Sequence, residues 1–174
     1  MTEPRVYLRP LRHEDKDEFL CLMQQSVRLH HPWISPPTTS QMFDSYLRRL
    51  NREDHAGLLV CRTDTKAIVG AINLNNIVRG SFLSASLGYY VGAPYAGQGL
   101  MREGLTLVCQ HAFERLGLHR LEANIQPDNI PSLRLVERCG FINEGLSERY
   151  LFIAGEWRDH ERWAIVHPRE GLRP

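Results

Sequence analysis

The sequence predicts an α+β fold, in which one mixed, mostly antiparallel sheet carries helices on both of its faces. Short segments with strand-like hydrophobic patterns recur along the chain, and between them lie segments whose apolar residues recur at helical spacing. Several of the predicted strands follow one another directly, as antiparallel strands joined by short turns do. No repeat, linker or low-complexity tract interrupts the pattern, so residues 1–174 are predicted to form a single domain.

The order of predicted elements is β-α-α-β-β-β-α-β-α-β-β. Three prolines in the segment 30–37 exclude a helix there, and a capping box at Thr38 and Gln41 predicts the start of the second helix. A final hairpin is predicted to turn at Ala154-Gly155. The predicted bounds are strand 6–10, helices 14–28 and 38–50, strands 57–62, 67–74 and 85–92, helix 100–116, strand 119–125, helix 131–138 and return strand 157–166.

Composition narrows the class of protein. The 21 basic and 20 acidic side chains give a net charge of +1, so no bulk field attracts nucleic acid or an anionic membrane. The segment 1–5 lacks an apolar signal core, and no uncharged apolar run is long enough to span a bilayer. The four cysteines stand at least 30 residues apart, which predicts buried, reduced thiols and a cytoplasmic protein. His30 and His31 lack a third ligand at a useful spacing, so no metal site is predicted.

The most informative local feature is a glycine-flanked turn, Gly97-Gln98-Gly99, between a strand and a helix. Free main-chain N–H groups at the positive end of a helix dipole form a seat for a phosphate or pyrophosphate. The dinucleotide fingerprint needs a third glycine where Arg102 stands, and the Gly-Lys-Ser/Thr ending of nucleotide-hydrolase loops is absent. The turn therefore indicates a phosphate-bearing cofactor other than NAD or ATP, and a simple flexible connection is the alternative.

A second motif, Asn129-x-x-Ser132 followed by Gly140-Phe141, lies after the next predicted strand. Together with the turn and the order of elements, it resembles the GNAT superfamily of acetyl-CoA-dependent N-acetyltransferases. The glycine motif of that superfamily matches residues 96–101 except at its first and last positions. The resemblance extends to the subgroup of ribosomal-protein-alanine N-acetyltransferases over about residues 76–166, and a methionine at the last position of the glycine motif is a feature of that subgroup.

The resemblance implies the GNAT fold, acetyl-CoA as co-substrate and a set of residues that hold it. The fourth and fifth strands are expected to splay apart, and Gly88 and Gly92 suit a bulge at that point. The pantetheine arm is expected to pair with the exposed edge of the fourth strand, as a peptide strand does. The cofactor-binding residues implied in this way are Tyr89, Tyr90, Val91, Gly97, Gln98, Gly99, Leu100, Met101, Arg102, Asn129 and Ser132.

The resemblance also points to the groups that move protons. Many relatives place a tyrosine seven residues after the asparagine, where this chain has Val136. Ser132 is the best substitute as hydrogen-bond donor to the developing thiolate, although it can equally cap the helix that it begins. Some relatives place a glutamate base where Asn124 stands, which can only orient a water. Glu122 shares the strand face of Asn124 and either serves a water relay or is a structural carboxylate.

The absence of a strong base favours an α-amine acceptor, whose pKa of about 7.7–8 leaves roughly a tenth of it neutral at pH 7. The preferred acceptor is the N-terminal alanine or serine of a protein such as a ribosomal protein. An acetyltransferase for a small amine (an antibiotic, polyamine or aminoacyl-nucleotide) and a non-catalytic acyl-CoA sensor are the alternatives. Trp33, Tyr150 and Trp157 are expected either to line the acceptor groove or simply to pack. A homodimer that pairs through the strand near Phe152 is left open.

Overall fold

A computed structural model describes residues 3–167. The strands are β1 (Val6–Pro10), β2 (Ala56–Arg62), β3 (Ile68–Val78), β4 (Ser84–Val91), β5 (Arg120–Ile125), β6 (Ile142–Ile153) and β7 (Glu156–Val166). The helices are α1 (Lys16–Gln25), α2 (Val27–His30), α3 (Ser40–Leu50), α4 (Leu100–Glu114) and α5 (Ile130–Arg138). This order confirms the predicted sequence of elements, with one additional short helix, α2.

The strands form one sheet in the order β1-β2-β3-β4-β5-β7-β6, and every neighbouring pair is antiparallel except β4 and β5. The parallel β4–β5 ladder runs only from Ser84 opposite Arg120 to Leu87 opposite Ala123, although both strands continue beyond it. The ends of β4 and β5 therefore diverge and leave a gap in the middle of the sheet. The expected splay between the two strands is present.

The expected bulge at Gly88 or Gly92 is absent. The β3–β4 register is continuous from Gly70 opposite Val91 to Asn75 opposite Ser86, and the irregular step lies beyond Asn75. Gly92 has a packing role instead, since a Cβ at this position would lie 2.3 Å from Leu22 Cδ1. The close approach of α1 to the end of β4 thus explains this glycine.

Helices cover both faces of the sheet and enclose two apolar clusters. One cluster lies under α1 and α3, where Phe19 packs edge-on against Phe43 with ring centroids 5.4 Å apart. The other lies under α4 and α5 and includes the fully buried Leu105 and Val108. Burial of apolar side chains on both faces stabilises the predicted α+β architecture.

The N-terminal helices differ from the sequence prediction at their ends. The helix predicted over 14–28 is interrupted at Ser26, whose buried hydroxyl donates to the Leu22 carbonyl at 2.6 Å and accepts from the Ala93 N–H at 2.8 Å. The second helix is capped by Thr39 rather than Thr38, since the Thr39 hydroxyl accepts from the Met42 N–H at 3.3 Å. Both differences arise from which hydroxyl reaches a free main-chain group.

All four cysteines are free. Cys61 and Cys109 are buried as predicted, whereas Cys21 is exposed because it lies on the solvent side of α1. In the described part of the chain, no helix combines the length and the apolar character that crossing a bilayer requires.

Candidate active site

The glycine turn begins α4 with two residues in the left-handed region of backbone conformation. Gly97 has φ of +74° and Gly99, the N-cap of the helix, has φ of +77°. The first main-chain hydrogen bond of the helix runs from the Glu103 N–H to the Gly99 carbonyl at 3.2 Å. Within residues 3–167, the N–H groups of residues 97–102 have no hydrogen-bond partner. Several free donors at the positive end of a 15-residue helix are the geometry that anion binding requires.

The side chains of this turn divide into anchors and solvent-facing groups. Leu100 and Met101 are buried in the core under α4, so they can meet a cofactor only through their main chain. Gln98 is exposed, and its amide group donates to the Pro94 carbonyl at 2.7 Å. The side chain of Arg102 is exposed beside the turn and can meet an anion there.

Arg5 adds a positive charge that the local sequence did not predict. Its guanidinium donates to the Gln98 carbonyl at 3.2 Å and to the Glu103 carboxylate, with the Nε–Oε1 distance at 2.7 Å. A carboxylate in the first helical turn would repel a bound phosphate, so the ion pair with Arg5 offsets that repulsion. Arg5 lies 93 residues before Gln98 in the chain, and only the folded sheet brings the two together.

The edge of β4 that faces the gap is defined by hydrogen bonding to β3. The Gly92 N–H donates to the Val69 carbonyl at 2.7 Å. Because the main-chain groups of successive strand residues point to opposite sides, those of Tyr90 face β3 and those of Tyr89 and Val91 face the gap. Tyr89 and Val91 can therefore pair with an extended ligand, whereas Tyr90 can contribute only through its ring. The Val91 carbonyl already contacts His30 Nε2 at 2.8 Å.

Ser132 lies at the start of α5 and makes a contact that its sequence motif did not predict. Asn129 is the N-cap, and its side-chain oxygen accepts from the Ser132 N–H at 3.4 Å. The Ser132 hydroxyl is therefore not the cap, and it lies 2.6 Å from the hydroxyl of Tyr89. Burial raises the pKa of Tyr89 well above its usual value, so the phenol keeps its proton at neutral pH.

The Tyr89 phenol supplies a hydroxyl that the α5 motif of this chain does not provide. Val136, which occupies the position of the tyrosine in many relatives, is fully buried in the core. Tyr89 brings a hydroxyl to Ser132 from β4 instead of from α5. The sequence pattern that could have pointed to Tyr89 is the alternation of side chains along β4, because it places Tyr89 and Tyr90 on opposite faces of the sheet.

The two candidate residues on β5 have different surroundings. Asn124 lies beyond the last β4–β5 pair, and its buried Oδ1 has no hydrogen-bond partner among the described residues. Glu122 lies opposite Ser86, where the strands are still paired, and its carboxylate accepts from Arg120 Nε at 2.7 Å. Arg120 also pairs with Glu144. Glu122 is thus held in a three-residue ion cluster outside the gap, an arrangement that favours its structural role.

A cleft of about 720 Å³ opens on the sheet face that α1 and α3 cover. The Tyr46 hydroxyl donates to Asn73 Oδ1 at 2.7 Å on its floor, and the buried Tyr90 hydroxyl completes no hydrogen bond there. Arg49 is the charged side chain among the described residues that line the cleft. The lining residues are Ile34, Ser35, Pro36, Pro37, Gln41, Met42, Ser45, Tyr46, Arg49, Asn73, Asn75, Gly88 and Tyr90.

None of the three aromatic residues predicted to line the acceptor groove is among the residues that line this cleft. Trp33 is half-buried, and its carbonyl lies 3.5 Å from Gln126 Nε2, so its loop approaches the end of β5. Tyr150 packs near His160 with ring centroids 6.0 Å apart, away from the lining of the cleft. Trp157 is 61% exposed on the final hairpin. Among residues 3–167, no three histidine, cysteine or carboxylate side chains cluster as metal ligands do.

A family model described as an acetyltransferase (GNAT) domain matches residues 5–142. The chain belongs to the GNAT acetyltransferase family. GNAT enzymes transfer acetyl groups from acetyl-CoA, so the protein is an acetyl-CoA-dependent N-acetyltransferase, as predicted. The free amides of the glycine turn and the open edge of β4 fit the diphosphate and the amide-containing arm of that co-substrate.

GNAT relatives show which acceptors similar chains use. The chain is 31% identical to "Probable N-acetyltransferase YjcK" of Bacillus subtilis over 94% of both proteins. It is 43% identical to the [ribosomal protein uS5]-alanine N-acetyltransferase of Escherichia coli over 105 residues, which are 60% of this chain and 54% of that protein. A spermidine N(1)-acetyltransferase of Vibrio cholerae is 26% identical over 95% of both chains.

A solved GNAT structure supports the fold and the cofactor. Mycobacterium smegmatis RimJ in complex with CoA-disulfide superimposes with a TM-score of 0.85 at 29% identity, covering 92% of this chain and 81% of that one. The similarity confirms the GNAT fold that the motifs predicted.

Proposed function

We propose that this GNAT enzyme acetylates the N-terminal α-amine of a protein, with alanine or serine as first residue and a ribosomal protein as the acceptor class. We assign the acceptor to the cleft on the sheet face that α1 and α3 cover, and the observation that carries the proposal is the charge of that cleft. Arg49 is the charged side chain that lines it, and no carboxylate is found among the described lining residues. The similarity to the uS5-alanine N-acetyltransferase and to RimJ supports the same acceptor class.

The cleft fits a peptide better than a polyamine. A polyamine carries several positive charges, and a site that desolvates them needs carboxylates to pair with them. An arginine in that position would repel such a ligand. A peptide N-terminus presents one amine followed by amide groups, and the side chains of Asn73, Asn75 and Tyr46 supply the hydrogen-bonding partners that amide groups use.

The pKa of the acceptor amine supports an α-amine over a lysine side chain. At pH 7, roughly a tenth of an α-amine with a pKa of about 7.7–8 is neutral, whereas a lysine amine with a pKa of about 10.4 is under about a tenth of a percent neutral. Glu122, the carboxylate predicted on β5, is occupied by Arg120. Because this carboxylate is already paired, the proposal favours an amine that loses its proton easily.

The residues of the site then take the following roles. Bound acetyl-CoA supplies a thioester whose carbonyl carbon accepts the amine and whose sulfur leaves as a thiolate. The free amides of residues 97–102 hold the diphosphate, and the gap-facing main chain of Tyr89 and Val91 aligns the arm. Ser132 donates a hydrogen bond to the sulfur while the Tyr89 phenol donates to Ser132. The unpartnered Asn124 Oδ1 accepts a hydrogen bond from the amine or from a water beside it.

The test is thiol release from acetyl-CoA with three acceptors at one pH. These are a peptide that begins with alanine or serine, the same peptide blocked at its N-terminus but carrying a lysine, and spermidine. We expect the free α-amine peptide to react fastest. Equal or faster turnover of spermidine or of the lysine side chain would contradict the α-amine proposal. Tight binding of acetyl-CoA with no thiol release from any of the amines would indicate a sensor.

The proposed acceptor also implies where the enzyme works. An enzyme that modifies ribosomal proteins works in the cytoplasm, and the free cysteines agree with a reducing compartment.

A homodimer through β6 stays a prediction, supported by the exposed Leu151 and Phe152 on that edge strand. Light scattering on the protein and on Phe152→Glu tests it, with a dimer expected for the first and a monomer for the second.

A further inference from the structure

Arg49 is an exposed cation that lines the cleft assigned to the acceptor. Its guanidinium carbon, Cζ, lies 5.5 Å from the centroid of the Tyr46 ring. Within residues 3–167, no carboxylate forms an ion pair with it, whereas the nearby Arg52 pairs with Asp54. A guanidinium that rests on an aromatic ring can still donate hydrogen bonds in its own plane. Arg49 is therefore able to bind a carboxylate of another molecule.

The ring under Arg49 is held in place by the core of the protein. Tyr46 is 6% exposed, and its hydroxyl donates to Asn73 Oδ1 at 2.7 Å. On the other side, its ring stacks on that of the buried Phe19, with the centroids 5.8 Å apart. A fixed ring restricts the arginine that lies over it, so less conformational entropy is lost when the guanidinium binds an anion.

The cleft reaches the part of β4 where this strand separates from β5. Gly88 and Tyr90 line the cleft, and both lie beyond Leu87, the last residue of β4 that pairs with β5. Tyr90 is 6% exposed, and its hydroxyl has no hydrogen-bond partner among the described residues. A buried hydroxyl in this state costs free energy until a ligand or a water completes its hydrogen bond. The floor of the cleft thus has the character of a binding site beside the gap.

The distance from this floor to Arg49 corresponds to a few residues of peptide. The ring centroids of Tyr90 and Tyr46 are 6.4 Å apart, and Arg49 Cζ lies 5.5 Å from the second ring. The guanidinium is therefore at most about 12 Å from the Tyr90 ring, and an extended chain advances about 3.3 Å per residue. A peptide whose amine lies at the gap brings the side chains of its second to fourth residues within reach of Arg49.

We propose that Arg49 is a specificity-determining residue that binds the carboxylate of an aspartate or glutamate at position 2, 3 or 4 of the acceptor protein. The proposal rests on the N-terminal acetylation proposed above. The carboxylate accepts hydrogen bonds from the guanidinium, and Asn73 and Asn75, which also line the cleft, pair with amide groups of the intervening chain. Arg49 takes no part in the chemistry at the amine, so its effect falls on the KM for the acceptor rather than on kcat.

The competing explanation is that Arg49 only stabilises the C-terminal end of α3. Arg48 and Arg49 both lie in the last turn of that helix, where a positive charge interacts favourably with the helix dipole. Arg48 is exposed as well, but it does not line the cleft, and it donates to the Ser45 hydroxyl at 3.0 Å. Arg48→Glu is the matched control for Arg49→Glu, because both variants change the net charge equally at the same helix end. Melting temperatures and calorimetry with coenzyme A check that both fold and keep the cofactor site.

The first experiment measures thiol release with peptides that begin with alanine and differ at one residue. Each carries glutamate, glutamine or lysine at position 2, 3 or 4, and an amidated C-terminus leaves the glutamate side chain as the only carboxylate. At one of these positions, kcat/KM of the wild type should be about tenfold higher for glutamate than for glutamine, and lower still for lysine. Arg49→Gln should lose this preference and Arg49→Glu should favour lysine, whereas Arg48→Glu should behave like the wild type.

The second experiment needs no turnover. Calorimetry on the protein saturated with coenzyme A measures the binding of the same peptides, together with a glutamine peptide whose C-terminus is a free carboxylate. At low ionic strength, the glutamate peptide should bind about tenfold more tightly than the amidated glutamine peptide. The difference should shrink in about 0.5 M salt, because salt screens an exposed ion pair. Arg49→Glu should reverse the order of affinities.

The outcomes separate the role of Arg49 from the α-amine function. Thiol release without a glutamate preference at any position, or with a preference that Arg49→Glu leaves unchanged, would overturn the role of Arg49 while the α-amine function stands. Charge-selective binding through Arg49 without thiol release would support the carboxylate site and contradict the α-amine function. A gain from the free C-terminus without one from glutamate would overturn the assignment to a side chain. Neither binding nor thiol release with any peptide would overturn both.

Discussion

The hydroxyl of Tyr89 lies 2.6 Å from the hydroxyl of Ser132 and joins β4 to the start of α5 beside the gap. Because Asn129 caps α5, the serine hydroxyl is not needed by the helix. Because burial keeps the phenol protonated, Tyr89 can donate to Ser132 and leave the serine proton for another acceptor. The pair is therefore arranged to direct one hydrogen bond toward a developing anion.

Ser132→Ala should lower kcat by about tenfold or more with little change in the KM for acetyl-CoA, because the lost hydrogen bond forms mainly in the transition state. Steady-state thiol release measures both constants. The melting temperature should change little, since the Asn129 cap is retained. An unchanged kcat would remove Ser132 from the reaction.

Tyr89→Phe should lower kcat by a smaller factor than Ser132→Ala, because it removes only the hydroxyl that donates a hydrogen bond to Ser132. If the two hydroxyls act as one unit, the double variant should be no slower than Ser132→Ala alone. Rates for the four proteins of this cycle provide the test. Effects that simply multiply would show that Tyr89 and Ser132 act independently.

The local parts of the fold and site could be predicted from sequence. The turn at Gly97 and Gly99 and the Asn129–Ser132 motif are contiguous segments, and the alternation along β4 is a short-range pattern. Each depends on neighbours a few residues away. The gap between β4 and β5 was expected only through the family resemblance, and the register confirms it.

The parts that sequence could not predict all depend on distant residues. The break in the first helix needs Ser26 to meet Ala93, 67 residues away. The tautomer of His30 is set by Val91, 61 residues away, and Glu122 is occupied by an arginine that also pairs with Glu144 on β6. No local pattern fixes such pairs, because tertiary packing selects them. His30 attracted attention in the sequence only as an incomplete metal ligand.

Gly97→Ala should weaken coenzyme A binding by about tenfold or more, because the left-handed backbone at φ +74° disfavours a side chain and the turn must rotate its amides away. Gly117→Ala is the control, since Gly117 has φ of +64° and an equally open environment beyond the C-terminal end of α4. Both substitutions should cost about 1 kcal/mol of stability. Calorimetry should show weaker coenzyme A binding for Gly97→Ala but not for Gly117→Ala. Equal affinities of the two variants for coenzyme A would contradict an anion-binding site at this turn.

Asn124→Leu should leave the free energy of unfolding unchanged or raise it while impairing turnover. The buried Oδ1 has no partner among residues 3–167, so its replacement by an apolar side chain of similar size removes a desolvation cost. Asn73→Leu is the contrasting variant, because it strips the Tyr46 hydroxyl of its acceptor and should cost about 1–3 kcal/mol. Urea unfolding measures the stability, and the kcat for an alanine-terminated peptide measures the turnover. A clear loss of stability in Asn124→Leu would indicate a structural role.

Stability should fall as the pH is lowered from about 7.5 to 5.5. Burial lowers the pKa of His30, His111 and His160, so the unfolded chain takes up protons below about pH 6.5 while the folded chain resists them. The contribution of each neutral histidine is therefore fully present above about pH 6.5 and is lost below it. Most carboxylates titrate below this window. Urea unfolding at several pH values should show a shallower slope for His30→Gln than for the wild type and His31→Gln, and identical slopes would show that His30 titrates normally in the fold.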